Sequence, residues 1–220
     1  VVGNFTAVEQ RTAAVAAVGA NGPITSLVIN LFIGVALGAN VVIANAIGRD
    51  DREAVQRAVH TAIVLALLGG VLIAGLGEAV AGWLLGLIRT PQEVFGDSRL
   101  YLDIYVYGLP FVFFYNIATG IFSAMGDSKT PFYFLAVSSV SNIAVDILFV
   151  SVFQMGVAGV AWATFLCQGI SCVLAVLVVI RRLEKVCAGE KAPVFSAALL
   201  RKIVVIAIPS ILQQSFISVG

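Results

Sequence analysis

Long apolar runs recur along the whole of this chain, and they constrain its fold more than anything else in it. Residues 23–47 carry no charged side chain at all, and about 20 apolar residues suffice for a helix to cross a bilayer. Similar runs cover residues 57–86, 97–124, 131–153 and 157–180, and a sixth begins near Ile203 and reaches Gly220. A membrane-spanning β-strand needs only about ten residues with strict alternation, and these runs are longer and apolar on every face. In lipid the backbone must satisfy its own hydrogen bonds, which each helix does internally. The expected fold class is therefore all-α and integral to the membrane, a polytopic helical bundle.

Composition supports this and excludes other classes. Of 220 residues, 60% are apolar and 11% charged, whereas a soluble domain carries about 25% charged residues. The mean hydropathy is +1.04, an apolar excess that one water-soluble core of this size cannot hide. Thirteen Lys and Arg against twelve Asp and Glu leave a net charge of +1, so no nucleic-acid partner is indicated. Three cysteines without a Cys-x-x-Cys pair, and a single histidine, give neither a disulfide framework nor a zinc site. Cys167, Cys172 and Cys187 read as small apolar packers. No Gly-x-x-x-x-Gly-Lys-Ser/Thr loop occurs. No cofactor or enzymatic chemistry is expected, and any transport would draw on an ion gradient or on a partner.

The turns between spans fix a topology. Gly48-Arg49-Asp50-Asp51-Arg52 ends the first run, Met125-Gly126-Asp127-Ser128-Lys129-Thr130-Pro131 ends the third, and residues 181–198 form the longest polar stretch. With alternating spans, one side holds Arg49, Arg52, Arg57, Lys129, Arg181, Arg182, Lys185, Lys191, Arg201 and Lys202. The other holds Arg11, Arg89 and Arg99, which completes the thirteen. The ten-residue side is assigned to the cytoplasm by the positive-inside rule. Val1-Val2-Gly3 reads as the last turn of an earlier span, with no signal peptide before it, so a larger membrane protein is expected.

Small residues at helical spacing (Gly34 and Gly38, Gly82 and Gly86, Gly156, Gly159 and Ala163) read as sites of close helix packing. Pro110 and Pro209 are expected to kink or bound their helices. His60 reads as a satisfied interfacial residue. Trp83, Tyr101, Tyr105 and Tyr107 read as an aromatic belt, with a cavity wall as the alternative.

Eleven of the twelve acids fall in loops or near span ends, and Asp146 does not. A carboxylate at a helix centre costs about 2.5–3.5 kcal/mol on insertion scales, so it is a functional candidate by default. Asn142 lies four residues earlier on the same helical face, and Thr164 and Gln168 share that spacing in the next span. Counting from the Gln154–Gly156 turn at 1.5 Å per residue puts Asp146 and Thr164 about 10–12 Å deep. Asn142 and Gln168 lie one turn deeper. Interhelical hydrogen bonding would explain the three neutral residues; the acid among them favours a cation or proton site.

Several segments together resemble a known family. Ala13-Ala14-Val15-Ala16-Ala17-Val18-Gly19, Gly34-Val35-Ala36-Leu37-Gly38-Ala39-Asn40 and Ala46-Ile47-Gly48-Arg49-Asp50-Asp51-Arg52 are similar to the multidrug and toxic compound extrusion (MATE) transporters. So are Tyr107-Gly108-Leu109-Pro110, the Gly126-Asp127-Ser128-Lys129-Thr130-Pro131 loop and the run from Gly156 to Thr164. The resemblance implies a twelve-helix protein of two six-helix lobes. Residues 1–180 would be the N-terminal lobe with helices two to six complete, 181–202 a cytoplasmic link, and 203–220 the start of helix seven in the C-terminal lobe. It implies a multi-pass protein of the bacterial cytoplasmic membrane that exchanges Na⁺ or H⁺ for cationic or amphipathic small molecules. Its partners would be those substrates, the bilayer and the C-terminal lobe of the same chain. In the DinF-like branch an Asn-x-x-x-Asp pair in helix five meets a Thr and a Gln in helix six, and Asn142, Asp146, Thr164 and Gln168 stand there. The resemblance thus assigns them a cation-coupling role, with Na⁺ at Asp146, Asn142 and Thr164. The family's helix-one aspartate would precede Val2-Gly3. A flippase for lipid-linked oligosaccharide or peptidoglycan precursors is the alternative within the superfamily. It would line its cleft with basic side chains, and none is expected within a span core here.

Overall fold

The computed structural model of the chain describes residues 22–87, 92–186 and 195–219. The expected end of an earlier span at Val1–Gly3 and the middle of the polar link lie outside them. Six helices follow in order: α1 Gly22–Gly48, α2 Arg52–Leu87, α3 Gln92–Ala124, α4 Lys129–Ile147, α5 Gly156–Val186 and α6 Ala197–Val219. A π-helical turn, Leu148–Val152, extends α4. All six helices are long and apolar enough to cross a membrane, as the run lengths require. Both ends of the expected polar link are helical, because α5 continues to Val186 and α6 already starts at Ala197.

The turns are built from local chemistry. After α1, Asp50 takes a left-handed φ of 52°, and the Asp50 and Asp51 amides donate back to Ile47 and Ala46 at 3.0 and 3.2 Å. After α3, Gly126 does the same at φ 75°, with Gly126 and Asp127 donating to Ser123 and Phe122 at 3.0 and 2.9 Å. Both are Schellman-type ends that satisfy the last carbonyls of a helix. The side chains of Asp51 and Asp127 then cap the next helices. Ala54 donates to Asp51 at 2.9 Å, and Lys129 and Thr130 donate to Asp127 at 3.1 Å each. A carboxylate here meets both the orphan amides and the positive end of the helix dipole.

Helix α3 is central. It packs on α1, α2 and α5, whereas α4 rests mainly on α5. The core joins Phe32, Ile43, Val59, Leu85, Leu102, Phe113, Ile117 and Phe122, with Phe32 stacked on Phe113 at 4.6 Å between ring centres. Several close crossings depend on glycine. A Cβ at Gly34 would lie 2.3 Å from Ile211, one at Gly38 2.5 Å from the Ile203 carbonyl, and one at Gly120 2.6 Å from the Ala36 carbonyl. The expected packing role of Gly34 and Gly38 is thus seen, against α6. Pro110 sits inside α3 with its Cα 2.9 Å from where a Gly70 Cβ would be, so the proline seats against α2. Leu67, Leu68, Val71, Leu72 and Trp83 of α2, with Phe132, Val137, Val140 and Ile143 of α4, lie on the outside. An apolar exterior of this extent needs lipid around it.

The topology expected from the basic residues has a structural counterpart. Arg182 at the end of α5 reaches Asp127 in the α3–α4 turn at 2.5 Å. The Ser196 amide, leading into α6, donates to Thr61 near the start of α2 at 3.1 Å. These basic-rich ends therefore share one side of the bundle.

Candidate cation-coupling site

Asp146 is the one acid buried among the described residues, at 8% exposure. It projects from the last turn of α4, two residues before the π-helical turn begins. A π-turn adds a residue to the repeat, so it shifts the helical faces on either side of it, and such turns recur at functional positions. Ser151 donates to the Ile147 carbonyl, and Phe153 to the Leu148 carbonyl at 3.2 Å, holding that segment.

Two polar atoms here lack hydrogen-bond partners: Oδ1 of Asp146 and Nδ2 of Asn142. Leaving a buried polar group unpaired costs roughly 1–3 kcal/mol, more for a charged one. The two residues share a face of α4 four positions apart. From α5, Cys167 approaches both, but without the geometry that would satisfy the Asn142 amide. From α3, Tyr101 lies within electrostatic range of Asp146. Thr164 and Gln168 are half-buried on α5, at the i−3 and i+1 positions relative to Cys167. No hydrogen bond joins either of them to Asp146 or Asn142 among the described residues. The structure therefore brings Asn142 and Asp146 to the α4–α5 contact, with Cys167 and Tyr101 within electrostatic range of the acid, and no hydrogen bond joins Thr164 or Gln168 to it.

The carboxylate oxygen without a protein partner is a free-standing acceptor in an apolar setting. It can take a proton, or it can ligate a dehydrated cation together with neighbouring oxygens. The amide of Asn142 can present its oxygen instead of its nitrogen by a half-turn about its last bond. No group of three or more His, Cys, Asp or Glu that could hold a metal ion occurs among the described residues, and the oxygens of Asp146 and Asn142 are hard donors carrying a single charge.

The MatE family model matches residues 2–148. The chain belongs to the MatE family. Among curated relatives of this MatE chain, the probable multidrug resistance protein YoeA of Bacillus subtilis is 36% identical over 173 residues, 77% of this chain and 37% of that protein. The probable lipid II flippase MurJ of Thermotoga maritima is 29% identical over 115 residues, covering 52% of this chain and 24% of that protein. A crystal structure of MATE in the bent conformation shares the fold with a TM-score of 0.86, over 94% of this chain and 46% of the other, at 24% identity. The chain thus spans less than half the length of these relatives.

Four features of the MatE chain add to what its sequence shows. Cys167 is buried at 7% exposure, as expected of an apolar packer, and also lies within electrostatic range of the acid, and Tyr101 and Tyr105 stack at 6.3 Å. His60 leaves its buried Nδ1 unpartnered among the described residues. Arg99 lies inside the membrane-capable part of α3, Phe95–Ala124. It holds Glu78 of α2 at 2.9 Å and Asp103 at 2.6 Å. The i,i+4 spacing of Arg99 and Asp103 was a readable signal; Glu78 lies 21 residues away and needs the fold.

Proposed function

We propose that this chain is the N-terminal lobe of a secondary active efflux transporter of the bacterial cytoplasmic membrane, which exchanges Na⁺ or H⁺ for cationic or amphipathic small molecules. The observation that carries the reading is the buried, unpartnered Oδ1 of Asp146 in a membrane-spanning helix of a MatE chain. Asp146 alternates between a vacant form and a form bearing a proton or Na⁺. In the Na⁺ case Asn142 and Thr164 add neutral oxygens, and Gln168 lies one turn deeper to steady Asn142. Occupancy changes the charge buried at the α4–α5 contact. A ligand shifts a conformational equilibrium only by its differential affinity for the two states, and a buried anion supplies that difference. Alternating access needs a second body to rock against, supplied here by a C-terminal lobe continuing from α6.

The alternative, a flippase for lipid-linked precursors, gains little support. Among the described residues the basic side chains within spans sit near the span ends, and two acids already neutralise Arg99. The deciding experiment measures efflux from vesicles with an imposed Na⁺ or H⁺ gradient. Asp146→Asn in the two-lobe protein keeps the shape and removes the titrating charge, so it should abolish gradient-driven efflux while substrate binding persists. Efflux at the normal rate would reduce Asp146 to a structural hydrogen-bonding group.

A further inference from the structure

At the basic-rich side of the bundle, the ends of α1 and α6 leave a cavity of about 640 Å³ between them. The helices touch deeper in the membrane, where Gly38 meets the Ile203 carbonyl and Gly34 meets Ile211. The cavity lies beyond Gly38, toward the helix ends. Val42, Ala46, Leu199 and Val205 give it apolar walls, and Arg49, Arg201 and Lys202 line its charged part. All three cations are exposed, and none is ion-paired among the described residues. The acid lining the cavity, Asp51, already accepts the Ala54 amide as the cap of α2.

We infer that this α1–α6 cavity is a binding site for a single anionic phospholipid, its phosphate held by Arg49, Arg201 and Lys202 and its acyl-glycerol part lying on the apolar walls. Three positive side chains lining one cavity at the basic-rich ends of α1 and α6 match a phosphate headgroup in charge. The apolar walls decide between lipid and a free anion. A soluble phosphate would lose water against Val42, Ala46 and Val205 without compensation, whereas a lipid covers those walls with hydrocarbon. The site is remote in sequence from Asp146, and its occupancy does not depend on the coupling chemistry proposed above.

The test uses the full-length protein in phosphatidylcholine nanodiscs with and without phosphatidylglycerol, with lipid retained after detergent transfer counted by native mass spectrometry. Each basic side chain near an anionic lipid contributes about a fivefold factor in affinity. The combined Arg49→Gln, Arg201→Gln, Lys202→Gln variant should then retain phosphatidylglycerol roughly a hundredfold less well. Val205→Trp, which fills the cavity and keeps its charges, should also lose retention, and it decides the matter if the triple variant does not fold. Arg181→Gln with Lys185→Gln removes two cations from the nearby end of α5 and should change retention less than twofold. Unchanged retention in the triple variant or in Val205→Trp overturns the inference. So does an equal loss in the α5 control, which would mean diffuse surface attraction. Displacement of phosphatidylglycerol by inorganic phosphate would overturn it too, in favour of a soluble-anion site.

Discussion

Replacing Asp127 by Asn and by Ala separates two contributions that one carboxylate makes at the α3–α4 turn. Its Oδ1 accepts the Lys129 and Thr130 amides at 3.1 Å, and its Oδ2 accepts the Thr130 hydroxyl at 2.6 Å. Its Oδ2 also meets Arg182 of α5 at 2.5 Å, with side-chain exposures of 16% for Asp127 and 40% for Arg182. Losing the cap costs about 1 kcal/mol, and a partly exposed ion pair contributes about 0.2–1 kcal/mol. Asp127→Ala should therefore destabilise by roughly 1.2–2 kcal/mol, lowering the thermal midpoint by about 2–8 °C for a chain of this size. Asn caps nearly as well as Asp, so Asp127→Asn should cost only the ion-pair share. The assay is thermal unfolding of the detergent-solubilised protein, with Arg182→Ala closing a double-mutant cycle. Arg182 also lies 5.6 Å from the Phe122 ring centre, a contact the cycle subtracts because it does not involve Asp127. The Thr130 hydroxyl and amide, then Arg182 and the Lys129 amide, hold the Asp127 carboxyl below its ordinary value of 3.8. A lowered carboxylate pKa means the stabilisation is complete above that ordinary value and is lost as pH falls through the lowered one. The gap in midpoint between the native chain and Asp127→Asn should therefore narrow only in acid. Strict additivity of Asp127→Ala and Arg182→Ala, within about 0.3 kcal/mol, would refute the link between turn and helix.

Glycine substitutions should split by sign. Gly38→Ala and Gly120→Ala press a methyl group onto rigid backbone carbonyls at 2.5 and 2.6 Å and should cost about 1–3 kcal/mol. Gly75→Ala meets nothing within 4 Å and should be neutral or stabilising by up to about 1 kcal/mol; thermal midpoints check all three. Arg99→Gln strands Glu78 and Asp103 and, after allowance for their partial exposure, should destabilise by about 1–2 kcal/mol. Adding Glu78→Gln should restore part of the loss in the same assay. Single cysteines at Ser128 and Gln92 in intact cells should label from opposite sides of the membrane, and equal labelling from outside would overturn the topology.

The helices were legible because bilayer thickness leaves one physical solution for a long uncharged run, and the alternation of basic turns then ordered them. The crossings were legible only in kind. Gly34 and Gly38 announced a close approach, but α6 as their partner depends on residues some 170 positions later in the chain, where nothing local in Ile203 or Ile211 names a neighbour. The partners of Arg99 show the same limit. Counting charges near a span end treats each as bound for water, whereas an arginine that meets two acids across α2 and α3 can stay within the span.

At the candidate site the acid was legible because its cost is local: a carboxylate amid apolar residues is anomalous whatever surrounds it. Its surroundings were not legible, because they are set by which face of α5 turns inward and by the π-turn after Ile147. Depth matching selected Thr164 and Gln168 by height along the helix, and height carries no information about azimuth. Cys167 lies between them on α5 within electrostatic range of Asp146, yet a thiol among apolar residues reads as packing alone. The π-turn had no signature in Leu148–Val152, whose residues would suit an ordinary helix equally well. That turn changes the face presented by everything between Leu148 and Phe153 relative to Asp146, so regularising it would alter the setting of the carboxylate without moving α5. The unpaired oxygen of Asp146 and the π-turn beside it are therefore best understood together, as an acceptor held open by a helix that does not close its own repeat.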